Sequence, residues 1–294
     1  KGAKIVWADI DFESRVVNAK TIESKITNKT RAVVVVHLYG YIADMPEIRQ
    51  LCKDNDLILI EDCAQSLGTS LGGKRAGTYG DMSIFSHHSQ KNISTLGEGG
   101  VLVVKNPKFA EIVPMLRHNG HLGYQDQEYY WKPAMSNVDY PKINGNYIEP
   151  NNYCLGEPQC AVGSMIIDRV DSVNSLKRSR AIQFIDDLAK FQQLIFHRVD
   201  NERHNYQHLV AFVQNDKRDQ FIKKMFLDKG IQCVVQYYPL HRYPYYIKHD
   251  LGEADCPNTE LFFDSMVSFP FYETMKDYEI EYMLESTIST LKSI

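Results

Sequence analysis

The stretch Ser86–Gly100 reads SHHSQKNISTLGEGG and carries one lysine, Lys91, between a polar run and a Gly-Glu-Gly-Gly turn. A lysine amine that can shed its proton attacks an aldehyde or ketone and forms a Schiff base. Upstream, Asp62 closes the apolar run LILIED and is followed by Ala64 and Gln65. Ser86 stands just ahead of Lys91, and Gly97, Gly99 and Gly100 let the backbone turn sharply behind it.

These residue types in this order meet the needs of pyridoxal phosphate, the commonest carbonyl cofactor held by a lysine. Its aldehyde needs an amine able to lose a proton. Its ring nitrogen needs a carboxylate that keeps it protonated, so that the ring acts as an electron sink. The ring face needs a small or aromatic neighbour, and the phosphate needs hydroxyl and backbone N–H donors. Lys91, Asp62 and Ala64 answer the first three, and Ser86 answers part of the fourth. Gln65 is placed to bond the phenolic oxygen. Taken singly, Lys91 reads as a surface lysine, Asp62 as a strand-end carboxylate and GEGG as a turn. His87 and His88 read as polar loop residues, with no third partner to make a metal site. The combination carries the reading.

Positioning these side chains takes strands. KIVWADI, RAVVVV and LILIED read as strands, and NAKTIESKIT and DMPEIRQLCKDND as helices, the second with Asp44 as N-cap. Strands alternating with helices predict a parallel sheet with crossover helices. Strands apolar throughout predict that both sheet faces are covered. Ligands of such sheets collect at the carboxyl ends of the strands, which points at His37, at Glu61 and Asp62, and at the Lys91 loop. MSIFS and GGVLVV read as two strands joined by that loop, and NPKFAEIVPMLRHNG as a helix begun by Pro107. Residues 120–152 are rich in Tyr, Asn, Pro and Gly without a period, and read as an irregular excursion. CLGEPQC onward reads as one long helix or two in series. After it, HLVAFVQN and IQCVVQYY read as strands, and KRDQFIKKMFLDKG and DYEIEYMLESTISTLKSI as amphipathic helices.

The 33 basic and 37 acidic residues are interspersed and leave a net charge of −4, which gives no electrostatic case for nucleic acid or an anionic membrane. No apolar run approaches a bilayer span, and KGAKIVWADID has no hydrophobic signal core. Cys52, Cys63, Cys154, Cys160, Cys233 and Cys256 show neither CxxC pairing nor zinc spacing. They read as free thiols in a reducing cytoplasm, so a cytoplasmic location and no metal are expected.

The run from VVVVHLYGYIADM through LILIEDCAQSLGTSLGGKRAGTYGDMSIFSHHSQKNISTLGEGGVLVV resembles the DegT/StrS family of sugar aminotransferases, fold-type-I enzymes that use pyridoxal phosphate. LRHNG, NNYCLGEPQCAVG, YYPLH and the closing FDSMVSFPFYETMKDYEIEYMLESTISTLK resemble the family's later motifs, so the likeness spans nearly the whole chain. It implies an α/β large domain over 1–165, a mixed, mostly parallel sheet with helices on both faces that includes the 120–152 excursion. It implies a bridging helix and a smaller α+β C-terminal domain over 166–294. Lys91 matches the Schiff-base lysine, which also moves protons, and Asp62 the carboxylate on the pyridine nitrogen. Gln65 matches the residue near the phenolic oxygen, Ala64 the one beneath the ring, and Ser86 a phosphate ligand. Asn152 matches an asparagine that reaches the neighbouring subunit's phosphate, which implies a homodimer with shared sites. His241 in YYPLH matches a substrate contact, and His37 and His88 join it as substrate candidates. Ahead of the point matching Lys1, the family carries a Gly-Thr/Ser-rich helix start and a stacking aromatic. Neither is in this sequence, so the N-terminal part of the large domain is expected to be absent.

The implied activity moves an amino group from glutamate or glutamine to a keto-sugar, nucleotide-linked or acidic, for lipopolysaccharide, another surface polysaccharide or a related amino sugar. Arg117, Arg242 and Lys248 are candidates to meet a substrate carboxylate or diphosphate. Two alternatives stand beside it. One is a sugar dehydratase using pyridoxamine phosphate, whose known relatives carry histidine at the Lys91 position. The other is a non-catalytic, cofactor-binding regulator.

Overall fold

The computed structural model describes residues 2–122, 136–143 and 145–294. A short helix α1 (Ala19–Glu23), capped by the Asn18 side chain, leads into β1 (Ala32–Val36). Helix α2 (Met45–Asp54) follows, and then β2 (Ile58–Asp62). A two-residue ribbon, β3 (Ser70–Leu71) with β4 (Lys74–Arg75), precedes β5 (Met82–Ser86) and β6 (Gly100–Val104). The sheet order is β1-β2-β5-β6. β1, β2 and β5 run parallel, and β6 returns antiparallel to β5, so Lys91 sits in the connection between the last two.

The strands form because they are β-branched and apolar. Their inward residues, Val33, Val35 and Leu59, pack with Met45, Ile48 and Cys52 of α2 in one core. Asp44 does occupy the N-cap position of α2, but its carboxylate caps nothing. It bonds Arg203 Nη2 at 2.8 Å instead, which ties the helix start to a distant segment. On the other face Val34, Val36, Ile58 and Ile84 stay 40–58% exposed. The chain therefore covers that face less than its uninterrupted apolar strands predict.

Helix α3 (Pro107–Arg117) begins where expected, with Asn106 accepting from Lys108 N. Of the 120–152 excursion, residues 123–135 and 144 lie outside the described residues. The remainder includes a ribbon of β7 (Lys142–Ile143) and β8 (Asn146–Tyr147). Two helices in series follow, α4 (Glu157–Ile166) and α5 (Val170–Leu188), separated by one 3-10 turn.

The C-terminal part is an antiparallel sheet in the order β11-β10-β9. Its strands are β9 (Leu194–Phe196), β10 (Leu209–Val213) and β11 (Met266–Phe269), and α6 (Arg218–Lys229), α7 (Pro244–Lys248), α8 (Pro257–Ser265) and α9 (Asp277–Leu291) complete it. Phe184 and Leu188 of α5, Phe221 and Met225 of α6, and Met283 and Leu291 of α9 pack against Leu209, Ala211 and Val213. Two expected strands do not form among the described residues. Residues 4–10 join no ladder: Trp7 donates to Leu251 O, and Asp9 accepts from Asn258 N and Thr259 N in the first turn of α8. In the run 231–238 only Val234 pairs, as a single bridge to Ser268. Both stretches are apolar enough to read as strands, but their backbone is used to fasten loops.

The segment 203–208 joins the two parts. Arg203 O accepts from Ile42 N, and Gly40 O accepts from Asn205 N. Gly40, at φ +95°, cannot be replaced without collision, because an added Cβ would stand 1.8 Å from Asn205 Oδ1.

Candidate active site

At the carboxyl edge of β2 the chain presents two neighbouring carboxylates to opposite faces, since successive strand residues alternate. Glu61 is fully buried. It accepts from Gly77 N and Tyr79 N, from Gly80 N, and from His37 Nε2 at 3.1 Å. Burial pushes its pKa up, but those donors outweigh it, and the carboxylate stays ionised below the usual range. His37 has no exposed surface, and its Nδ1 accepts from Ala43 N. It belongs to this buried knot, a correction to its place among the substrate candidates. His37, Glu61 and Cys63 have their ligating atoms close enough for a metal, but hydrogen bonds already engage both ring nitrogens and both carboxylate oxygens.

Asp62 is only half-buried, and one of its oxygens accepts from Ala64 N at 3.0 Å, which holds the turn after β2. Register sets Asp62 beside Ile84 of β5, two residues ahead of Ser86, and the Asp62 charge acts on the Lys91 amine. That loop folds on itself. His87 N bonds Gly99 O, Ser89 N bonds Gly97 O, and Lys91 N bonds His88 O. Gly99 must be glycine, because a Cβ there would lie 2.2 Å from Thr95 Oγ1.

Lys91 is half-buried, and among the described residues its amine has no hydrogen-bond or ion-pair partner. Burial lowers its pKa from the ordinary lysine value, opposed by the negative charge of Asp62. The amine is thus easier to deprotonate than a surface lysine, yet it still faces a carboxylate. This is the donor set pyridoxal phosphate calls for: a free amine for the aldehyde and a carboxylate able to hold a pyridinium proton.

The other expected site residues fall as follows. Ala64, half-buried, sits in the Asp62 turn. Ser86 Oγ accepts from His88 N at 3.3 Å, which leaves its proton free to donate. Gln65 is buried and engaged at both ends, with Oε1 accepting from Tyr39 N and Nε2 donating to Tyr237 Oη at 3.2 Å. His88 lies in the lysine loop, 3.7 Å from Glu98. His241 pairs with Glu260 beside Trp7. Arg242 is engaged by Glu260 and Asp264, so it is no free cation for a substrate. Asn152 is exposed, and its side chain accepts from Cys154 N at 3.1 Å.

Sequence reasoning missed a second layer. Tyr237 Oη also meets His208 Nε2 at 3.0 Å. His208 is held down to about 4 by burial, then by the positive charges of Lys177 and Lys91. It is therefore a neutral imidazole near neutral pH. The one signal in the sequence was the polar run HNYQH at 204–208, directly ahead of the apolar strand β10.

A lysine loop between two strands of a mostly parallel sheet, within reach of a strand-end carboxylate, offers the residue types that pyridoxal phosphate needs, on the scaffold of the fold-type-I aminotransferases. The chain belongs to the DegT/DnrJ/EryC1/StrS aminotransferase family, whose match covers residues 1–287. It is similar to a GDP-perosamine synthase of Vibrio cholerae, at 28% identity over 95% of this chain and 72% of that protein. It is also similar to a dTDP-3-amino-3,4,6-trideoxy-alpha-D-glucose transaminase of Micromonospora megalomicea, at 27% identity over 93% of this chain and 69% of the other. The fold matches the X-ray structure of an aminotransferase from Psychrobacter cryohalolentis with TM-score 0.86 and 23% identity, covering 100% of this chain and 76% of that one.

Proposed function

We propose that the protein is a pyridoxal phosphate-dependent transaminase that moves an amino group from glutamate or glutamine to a keto-sugar in the making of surface polysaccharide. The relatives named as sugar synthases and transaminases support the sugar class. The observation that carries the reading is the partly buried Lys91 amine, unpartnered among the described residues and within reach of the Asp62 charge. When bound, the cofactor supplies an electron sink for the carbon that gains or loses the amino group. Lys91 holds the cofactor and moves a proton at that carbon, and a positioned acid–base group contributes about 10²–10⁴-fold. Asp62 keeps the ring nitrogen protonated. Ser86 donates to the phosphate, Ala64 leaves room for the ring, and Gln65 stands near the phenolic oxygen. His88 and His241 are the substrate contacts of this reading. Atoms balance without an outside oxidant: the donor's amino group becomes the acceptor's, and the donor leaves as a 2-oxo acid.

The working unit in this reading is a homodimer in the cytoplasm, with Asn152 reaching the neighbouring subunit's phosphate. Residues 1–165 form the cofactor domain and 166–294 the bridging helix and small domain. Supporting the location, no described helix is long and apolar enough to cross a membrane, and none of the six cysteines is in a disulfide. The test is a two-stage assay. Glutamate or glutamine should bleach the visible absorption of the loaded protein, and one member of a keto-sugar panel should restore it. A loaded protein whose absorption neither amino acid changes contradicts the proposal.

A further inference from the structure

Among the described residues the Lys91 amine makes no bond, so its place is set by its neighbours. On one side, Gln90 O accepts from Gln207 Nε2 at 2.7 Å. On the other, Asn92 N donates to Gln207 Oε1 at 3.0 Å. One carboxamide therefore spans the lysine and holds the main chain before and after it. Behind Asn92 a second set closes. Its Oδ1 accepts from Lys177 Nζ at 2.8 Å, and its Nδ2 donates to Asn174 Oδ1 at 3.2 Å. Lys177 also reaches Gln207 O and Phe271 O, and Asn174 Nδ2 donates to Leu67 O. Gln207 is 5% exposed, Lys177 3% and Asn174 4%, so these bonds are shielded from water.

Gln207 is itself clamped. Its N–H donates to Asn205 Oδ1 at 2.9 Å, and Asn205 Nδ2 donates to Gln65 O at 2.9 Å and to Leu67 O. Between them Tyr206 sits at φ +48°. For a non-glycine residue that conformation costs on the order of 1 kcal/mol or more, and it persists only where the surroundings enforce it. A single tight turn thus fastens both the segment after Asp62 and the loop bearing Lys91, two stretches that β2 and β5 alone leave as separate loops.

We propose that Gln207 is a positioning residue for Lys91, with Lys177 and Asn174 as its backing, and that it sets the approach of the lysine amine to the cofactor's carbonyl carbon. The inference rests on Lys91 being the cofactor lysine. The residue touches no reacting atom; it acts through the loop. Burying polar groups this way is stabilising only when all are paired, which these are.

The experiment uses the full chain, stripped of cofactor and mixed rapidly with pyridoxal phosphate, with the visible absorbance of the lysine-bound form followed in time. Amide hydrogen exchange over 88–95 is measured alongside. For Gln207→Leu the expected result is attachment slower by about 10- to 100-fold, the penalty of a misplacement near 1 Å. The amount bound at saturation stays that of wild type, and exchange at Asn92 and its neighbours is faster. In turnover, kcat falls while KM for the donor stays within about 3-fold, since binding energy is not what the loop supplies. Attachment at the wild-type rate overturns the proposal. If Gln207→Leu fails to fold, Lys177→Met takes its place. It keeps both bonds of the Gln207 side chain to residues 90 and 92 and removes the Lys177 contacts to Asn92 Oδ1 and Gln207 O, and it should slow attachment by a smaller factor; a wild-type rate there also overturns the proposal. A wild-type protein that develops no such absorbance overturns the Lys91 reading and this inference with it. A wild type that does, with Gln207→Leu equally fast, overturns this inference alone.

Discussion

Glu61 and Asp62 are consecutive carboxylates on one strand, and they do opposite things. Glu61 faces the interior, where three backbone N–H groups and His37 use its oxygens. Asp62, on the opposite face, is only half-buried and accepts from Ala64 N on one oxygen. Two lysines, Lys177 buried and Lys91 half-buried, repeat the contrast. Lys177 is lowered to about 7 by burial, and its ammonium is shared among Asn92, Gln207 and Phe271. Lys91 is lowered less far and has no partner among the described residues. A perturbed pKa alone would choose Lys177. Hydrogen-bond saturation chooses Lys91, because a group with all its bonds made in the folded chain has none left for a cofactor.

Breaking each side of that contrast should give different failures. Lys91→Ala should cost the most, about 10⁴-fold in kcat, because it removes both the attachment point and the acid–base group. Its thermal midpoint should barely move, as checked by calorimetry, because among the described residues the side chain holds no bond. Glu61→Gln should do the reverse. Breaking a buried charged network costs about 3–5 kcal/mol, so unfolding in urea should shift strongly while activity per folded molecule survives. Asp62→Asn should leave stability within about 0.5 kcal/mol and lower kcat by about 10²-fold, as loss of one preorganised electrostatic partner does. Steady-state kinetics with the donor in excess would show it.

The smallest effect is a pH dependence of stability. His204 is held well below its ordinary value by burial first, and His197 is held to about 4, again by burial first. In the unfolded chain a histidine titrates near 6.5. Above that pH neither state binds the proton, so the slope is zero. As pH falls from about 6.5 toward 4 the unfolded chain binds protons that the folded one refuses, and stability drops. For His204 the loss at pH 6 should be about 1 kcal/mol. A urea midpoint that is flat between pH 7 and pH 5 would contradict the neutral, buried state of these rings.

The chain-local part of the site was legible in the sequence. Asp62 closes an apolar strand, Lys91 sits before GEGG, and Ser86 ends the strand between them, all within one short stretch. The helical character after residue 156, read as one long helix or two in series, and the C-terminal α+β part were legible for the same reason, because each carries its own period. The second layer was not. Tyr237, His208, Gln207 and Lys177 all come from beyond residue 170; Gln207, in the turn at 204–208, and Lys177, on α5, each bond the Lys91 loop, while Tyr237 joins Gln65 to His208. Nothing in HNYQH says which amide bonds which carbonyl. Residues 4–10 and 231–238 misled because apolar content was read as pairing, while Asp9 and Val234 show short fastening contacts instead.

The most direct test of the account is to reduce the loaded protein with borohydride, which fixes the cofactor to its lysine, and to map the modified peptide by mass spectrometry. The account predicts the added mass on Lys91 and none on Lys177. Modification of Lys177, or of any lysine other than Lys91, would contradict it.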